Sequence, residues 1–151
     1  MEPLSDKDIP SALLLFTNEN VRRYLGGTIT EAAALEKLKA WINAKNDIYL
    51  AVRLIDEDTF IGLVSVSPYH DASKKELSYQ FLPQFWGKGY AFEVLTAVLR
   101  YCGDILCCRE IVSETQTKNT RSCRLLEKLG YHLTEQLVRF GTEQNLYTIR
   151  L

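Results

Sequence analysis

The chain has no apolar run near the roughly twenty residues that a membrane-spanning helix needs, and no basic N-terminal segment followed by an apolar one. Both absences point to a soluble, cytoplasmic protein with no membrane partner. It has only two histidines, His70 and His132, and none of its four cysteines, Cys102, Cys107, Cys108 and Cys123, forms a Cys-x-x-Cys pair. No zinc spacing can be drawn from these residues, so no metal is expected, and buried reduced thiols are the expectation for all four cysteines. An excess of charge of one sign is also missing, since 18 Lys and Arg stand against 19 Asp and Glu. Without a basic patch or tail, nothing marks a nucleic-acid partner.

What is present fits one domain, residues 1–151, large enough to build its own core. Its most informative stretch is residues 82–91, Leu-Pro-Gln-Phe-Trp-Gly-Lys-Gly-Tyr-Ala. Before it, Leu77, Tyr79 and Phe81 alternate with Glu76, Ser78 and Gln80, the period of a strand. After it, Ala91, Val94, Leu95, Val98, Leu99 and Cys102 fall on one face of a helix. Gly87 and Gly89 therefore lie between strand and helix, where unobstructed backbone and first-turn amides suit an anionic group. The residues match neither a P-loop nor a Rossmann turn, and a tight structural turn is the plain alternative.

Elsewhere, Ile9, Ala12, Leu13 and Phe16 predict a first helix, and Val21 to Leu25 a short one ended by Gly26-Gly27. Thr28 and Glu31 have capping-box spacing ahead of a helix with Leu35, Leu38 and Ile42 on its stripe. Residues 48–55 and 60–67 predict a hairpin, residues 110–115 a strand, and residues 120–129 a helix stopped by Gly130. Residues 131–140 and 145–150, joined by residues 141–144, predict a closing hairpin. The expected class is α/β, or α+β: a mixed, mostly antiparallel sheet with a parallel crossover at the glycine motif, flanked by helices.

Gln84-x-x-Gly87-x-Gly89-x-Ala91 resembles the acetyl-CoA pyrophosphate loop of the GNAT N-acetyltransferase superfamily. The longer Phe85-Trp-Gly-Lys-Gly-Tyr-Ala91 is similar to the RimJ/RimL-like branch, which includes the ribosomal-protein N-terminal acetyltransferases. Asn119-Thr-Arg-Ser122, leading to Leu129-Gly130-Tyr131, resembles the same family's Asn-x-x-Ser helix. The resemblance spans residues 4–151 and departs at the N-terminus, where the usual first strand is shortened or absent, leaving an edge open to dimer pairing or fraying. It implies the GNAT fold with splayed strands four and five, acetyl-CoA as cosubstrate and a monomer or homodimer. The implied activity is acetyl transfer to a primary amine by direct attack on the thioester. The amine could be a protein N-terminus, a polyamine, an amino acid or an antibiotic.

By that resemblance, backbone groups of Phe81 and Leu82 hold the pantetheine amides, and one of their N–H groups polarises the thioester carbonyl. Gln84, Phe85, Trp86, Gly87, Lys88, Gly89, Tyr90 and Ala91 hold the pyrophosphate, and Asn119 bonds the pantetheine arm. Glu76 is the first candidate base and Glu114 the second, with an exposed strand-end carboxylate and a salt bridge as their plain readings. The family's usual tyrosine acid is replaced in Leu125-Leu126, which leaves the Ser122 hydroxyl near the sulfur as the candidate acid; helix capping is the plain reading for Asn119 and Ser122. Cys108 and Cys123 lack a neighbouring histidine, which argues against an acetyl-cysteine intermediate. Tyr24, Trp41, Tyr69 and His70 are candidates for the acceptor side, with core packing the plainer reading for Trp41 and a solvated loop histidine the plainer reading for His70. The rival to an enzyme is a catalytically weak GNAT module that senses acyl-CoA.

Overall fold

β-branched and aromatic runs set the sheet, and the computed structural model describes residues 1–70 and 73–151 of it. The strands are β1 (Glu2–Pro3), β2 (Ile48–Arg53), β3 (Phe60–Pro68), β4 (Lys75–Phe81), β5 (Glu110–Gln116), β6 (His132–Arg139) and β7 (Thr142–Arg150). The helices are α1 (Ile9–Thr17), α2 (Glu19–Arg22), α3 (Glu31–Ile42), α4 (Tyr90–Asp104) and α5 (Thr120–Lys128). The strand order is β1-β2-β3-β4-β5-β7-β6. Pairing is parallel between β4 and β5 and antiparallel in the β1-β2-β3 and β5-β7-β6 groups, the mixed α/β class read from the sequence.

Contacts divide the chain into two units, the first made of Met1–Val66 and Tyr79–Tyr90. Its core joins Ala12, Leu15 and Phe16 of α1 to Ala34 and Leu38 of α3 and to Ala51 and Leu63 of the sheet. Trp41 stacks on Tyr49 at 4.8 Å and tilts against Phe16 at 5.6 Å, which is the packing role. The cap of α3 is Thr30, whose hydroxyl accepts the Ala33 N–H at 3.3 Å, and not Thr28. Gly26 and Gly27 have positive φ and the Ile29 N–H donates to the Phe16 carbonyl, so the chain enters the helix two residues later than the spacing implied. Asp8, fully buried, accepts the Ser5 N–H at 2.9 Å and hydroxyl at 2.8 Å and pairs with the Arg53 guanidinium. In β3, a Cβ on Gly62 would lie 2.5 Å from the Gln80 carbonyl oxygen, so only glycine lets β4 approach there.

The second unit is Ser67–Ser78 and Ala91–Leu151. Here α4 buries Leu95, Val98, Leu99 and Cys102, and α5 buries Cys123 and Leu126. Cys107 departs from the expectation for the cysteines: it is exposed, in a turn at φ 53° after α4, while Cys108 is half-buried. The closing hairpin is also tighter than expected. Arg139 pairs with Thr142, so the turn is Phe140–Gly141 alone, and residues 142–144 belong to β7. Both turn residues have positive φ, the conformation that joins two strands with two residues.

Candidate active site

In the first unit, the Leu82 N–H donates to the Ile61 carbonyl at 2.9 Å. That engages the Leu82 amide within the sheet and removes it as a donor to a thioester. Successive amides along a strand point to opposite edges, so the Phe81 amide faces away from β3. The Phe81 carbonyl accepts the Trp86 indole N–H at 2.7 Å, which fastens the loop to the strand end. Between them, Pro83–Phe85 makes one 3-10 turn.

Gly87 and Gly89 then take φ of 73° and 88°, and a Cβ at either would meet nothing within 4 Å. Backbone conformation, not packing, demands glycine at both, and the space beside them is open. Gln84, Trp86, Gly87, Lys88 and Gly89 are exposed, the Lys88 ammonium lies 5.7 Å from the Phe85 ring centre, and Phe85 meets Tyr90 edge-on at 6.3 Å. Helix α4 starts at Tyr90, so its first-turn amides, Ala91 included, follow directly on this loop. The buried Gln80 Oε1 has no hydrogen-bond partner among the described residues. An open backbone cradle at a helix start and an orphaned acceptor on the preceding strand fit a ligand with a phosphate end and an amide-bearing arm.

In the second unit, Asn119 caps α5, its Oδ1 accepting the Ser122 N–H at 3.3 Å. The capping reading is therefore built, and it leaves the Asn119 Nδ2 as a separate donor. Ser122 is half-buried in the first turn of that helix. Cys123 is buried and accepts from the Asn145 Nδ2 at 3.7 Å.

The same unit holds both candidate bases. Pairing of β4 with β5 places Glu76 beside Val112, and the Glu76 carboxylate receives hydrogen bonds from the Glu114 backbone amide and the Ser78 hydroxyl. Burial, reinforced by the nearby Glu114 charge, pushes the Glu76 carboxyl up to about 7 against these hydrogen bonds and the Arg139 charge. Glu76 is thus half-buried, in place of the exposed strand-end group that was the plain reading. Glu114 differs: its carboxylate accepts the Tyr69 hydroxyl at 2.6 Å and the Arg139 guanidinium at 2.5 Å, with a side chain only 6% exposed. The ion pair is the reading the structure builds for Glu114. Arg139 also donates to the Tyr69 oxygen at 2.8 Å, and burial, with Glu114 beside it, pushes the Tyr69 phenol up to about 12.

Sequence reasoning named Tyr69 and Glu114 but missed Arg139, which lies in an alternating strand like any other basic residue. Tyr24 of the first unit is half-buried. Among the described residues no three His, Cys, Asp or Glu side chains are grouped to hold a metal, and no helix is long and apolar enough to cross a membrane.

Residues 1–132 match the family model described as the acetyltransferase (GNAT) domain. Among relatives, the uncharacterized N-acetyltransferase YoaA of Bacillus subtilis (strain 168) is 27% identical over 164 aligned positions, covering 99% of this chain and 91% of its own. The uncharacterized N-acetyltransferase YnaD of the same organism is 30% identical over 128, covering 82% of this chain and 73% of its own. Among solved structures, a GNAT-family acetyltransferase from Bacillus anthracis superposes with a TM-score of 0.87 at 24% identity, covering 99% of this chain and 92% of its own. A spermidine N-acetyltransferase from Vibrio cholerae, solved with CoA and spermine, superposes with a TM-score of 0.85 at 20% identity, covering 99% and 93%.

Proposed function

The chain belongs to the GNAT acetyltransferase family, and from that premise we propose that it moves acetyl from acetyl-CoA to a primary amine by direct attack of the amine. The observation that carries this reading is Glu76, a half-buried carboxyl whose proton equilibrium is raised to about 7. A base poised near neutral pH can take a proton from an ammonium group and still be ionised often enough to act. An α-amine titrates near 8 and a lysine near 10.4, so the acceptor needs that help.

Acetyl-CoA, when bound, supplies an activated acetyl group: the new N–C bond forms as the C–S bond breaks, and a proton from the amine balances the leaving thiolate. The loop from Gln84 to Ala91 holds the pyrophosphate through its backbone amides, with Lys88 adding charge. The Phe81 amide, facing away from β3, is the proposed donor to the carbonyl oxygen. Asn119 reaches the pantetheine arm through Nδ2, and the Ser122 hydroxyl is the proposed proton donor. Glu114 acts on Glu76 and is not itself the base. The loop resemblance supports the RimJ/RimL-like branch as the nearer kinship, and the whole chain acts as one acetyltransferase domain. A spermidine N-acetyltransferase shares the fold, so polyamines belong among the acceptors tried.

The test is a free-CoA assay over protein N-terminal, amino-acid, polyamine and antibiotic amines, with Glu76→Gln alongside. Turnover that falls about a hundredfold or more in the variant supports the proposal. Tight acetyl-CoA binding with no turnover of any amine would contradict it and leave a sensor.

A further inference from the structure

The β6–β7 turn carries a residue that its geometry disfavours. Phe140 sits at φ 55° in the two-residue turn, where Asn, Asp or Gly is the usual choice and a bulky aromatic is strained. Core packing does not explain it, because the side chain is 75% exposed. A strained, exposed aromatic at a tight turn asks for a functional reason.

Its surroundings supply one. The Phe140 ring lies 5.9 Å from that of His70, which meets Tyr69 edge-on at 4.9 Å. Tyr69 is bonded to Glu114, and the Glu114 amide is bonded to Glu76. A file of three rings therefore runs from the turn to Glu114, the residue whose backbone amide holds the proposed base. The charges on this face are as informative. Glu114 is matched by Arg139 at 2.5 Å, and Glu76 is in none of the ion pairs formed among the described residues. Among the described residues, Glu76 is therefore a carboxylate beside this group that no basic side chain matches, and it is the partner offered to the acceptor's ammonium.

We infer that the acceptor is a primary amine on an apolar or aromatic body, which packs on the exposed Phe140 and His70 rings while its nitrogen meets Glu76. This rests on the proposed acetyl transfer and adds the acceptor class, against a polyamine. Such a body gains from aromatic contact, and its ammonium gains from the rings as well as from the carboxylate.

The experiment compares kcat/KM for phenethylamine, phenylalanine amide, putrescine and spermidine in the wild type and in Phe140→Gly. We expect either aromatic amine to exceed both polyamines by about tenfold or more. The ratio between the two aromatic amines tells a simple arylalkylamine from an amino-terminal acceptor. Phe140→Gly should raise KM for the aromatic amines about tenfold with little change in kcat, and without loss of thermal stability, since glycine relieves the positive φ. Phe140→Tyr should restore KM. A polyamine preference, or an aromatic KM untouched by Phe140→Gly, overturns the inference and leaves acetyl transfer standing. A change only in oligomeric state overturns it in favour of a contact between copies. No free CoA from any of the four amines removes the inference together with the activity beneath it.

Discussion

The Glu114 backbone amide donates to the Glu76 carboxylate, while the Glu114 side chain, on the neighbouring strand, raises that carboxylate's affinity for a proton. Burial is the larger cause of that raised affinity and the Glu114 charge adds to it, while the Glu114 amide that holds the carboxylate works against it. The arrangement costs stability when Glu76 ionises. Its folded value of about 7 lies above the usual carboxylate range, so its contribution is fully present below about pH 4 and is lost as pH rises through 7. Glu76→Gln should therefore be more stable than wild type at pH 8, by on the order of 2 kcal/mol after solvent screening, and similar at pH 4.5. Denaturant unfolding at the two pH values checks this, and equal stability at pH 8 would contradict it.

Arg139 is the counter-charge to Glu114, and its own charge lowers the Glu76 value. Arg139→Gln should move the pH at which Glu76 ionises upward and shift the rate profile to higher pH. It should also destabilise the fold by on the order of 3 kcal/mol, because a nearly buried carboxylate loses its partner. A profile that stays in place would separate Arg139 from Glu76.

Gly89 needs its positive φ, yet no protein atom would meet a Cβ there. Gly89→Ala should cost about 1 kcal/mol of stability from backbone strain alone. If the open space holds a pyrophosphate, the same variant should weaken CoA binding tenfold or more by calorimetry. Strain without lost affinity would make the loop a structural turn.

Asp8 is held below the usual carboxylate range: burial pushes it up, but the hydrogen bonds from Arg53 and Ser5 outweigh that. A depressed folded value means stability that is present above about pH 4 and lost as pH falls through the folded value. Asp8→Asn should cost about 3 kcal/mol at pH 7 and flatten the acid-unfolding curve. Circular dichroism against pH from 7 to 2 measures both.

What the sequence made legible is what local periodicity and spacing encode. Helix α4 was readable from Leu95, Val98, Leu99 and Cys102 at spacings of three and four, and the loop from two glycines between strand and helix. The Thr28 cap failed because two residues of extended chain, fixed by the Ile29 bond to Phe16, intervene before Thr30. The hairpin turn was misplaced because phenylalanine occupies a position where turn chemistry predicts asparagine or glycine. Arg139 with Glu114 and Asp8 with Arg53 lie 25 and 45 residues apart. Pairs so distant follow from tertiary packing, sheet register for the first and a turn laid against a strand end for the second, which no local pattern carries. Gly62 reads as an ordinary weak point in a strand until Gln80 is brought against it.

The central claim is that Glu76 takes the acceptor's proton, and the pH dependence of kcat/KM in wild type and Glu76→Gln tests it most directly. The account predicts a wild-type limb that rises with an inflection near 7, matching the raised carboxyl, and a variant that is slower by about a hundredfold or more and lacks that limb. A Glu76→Gln protein that keeps both the rate and the inflection would contradict it.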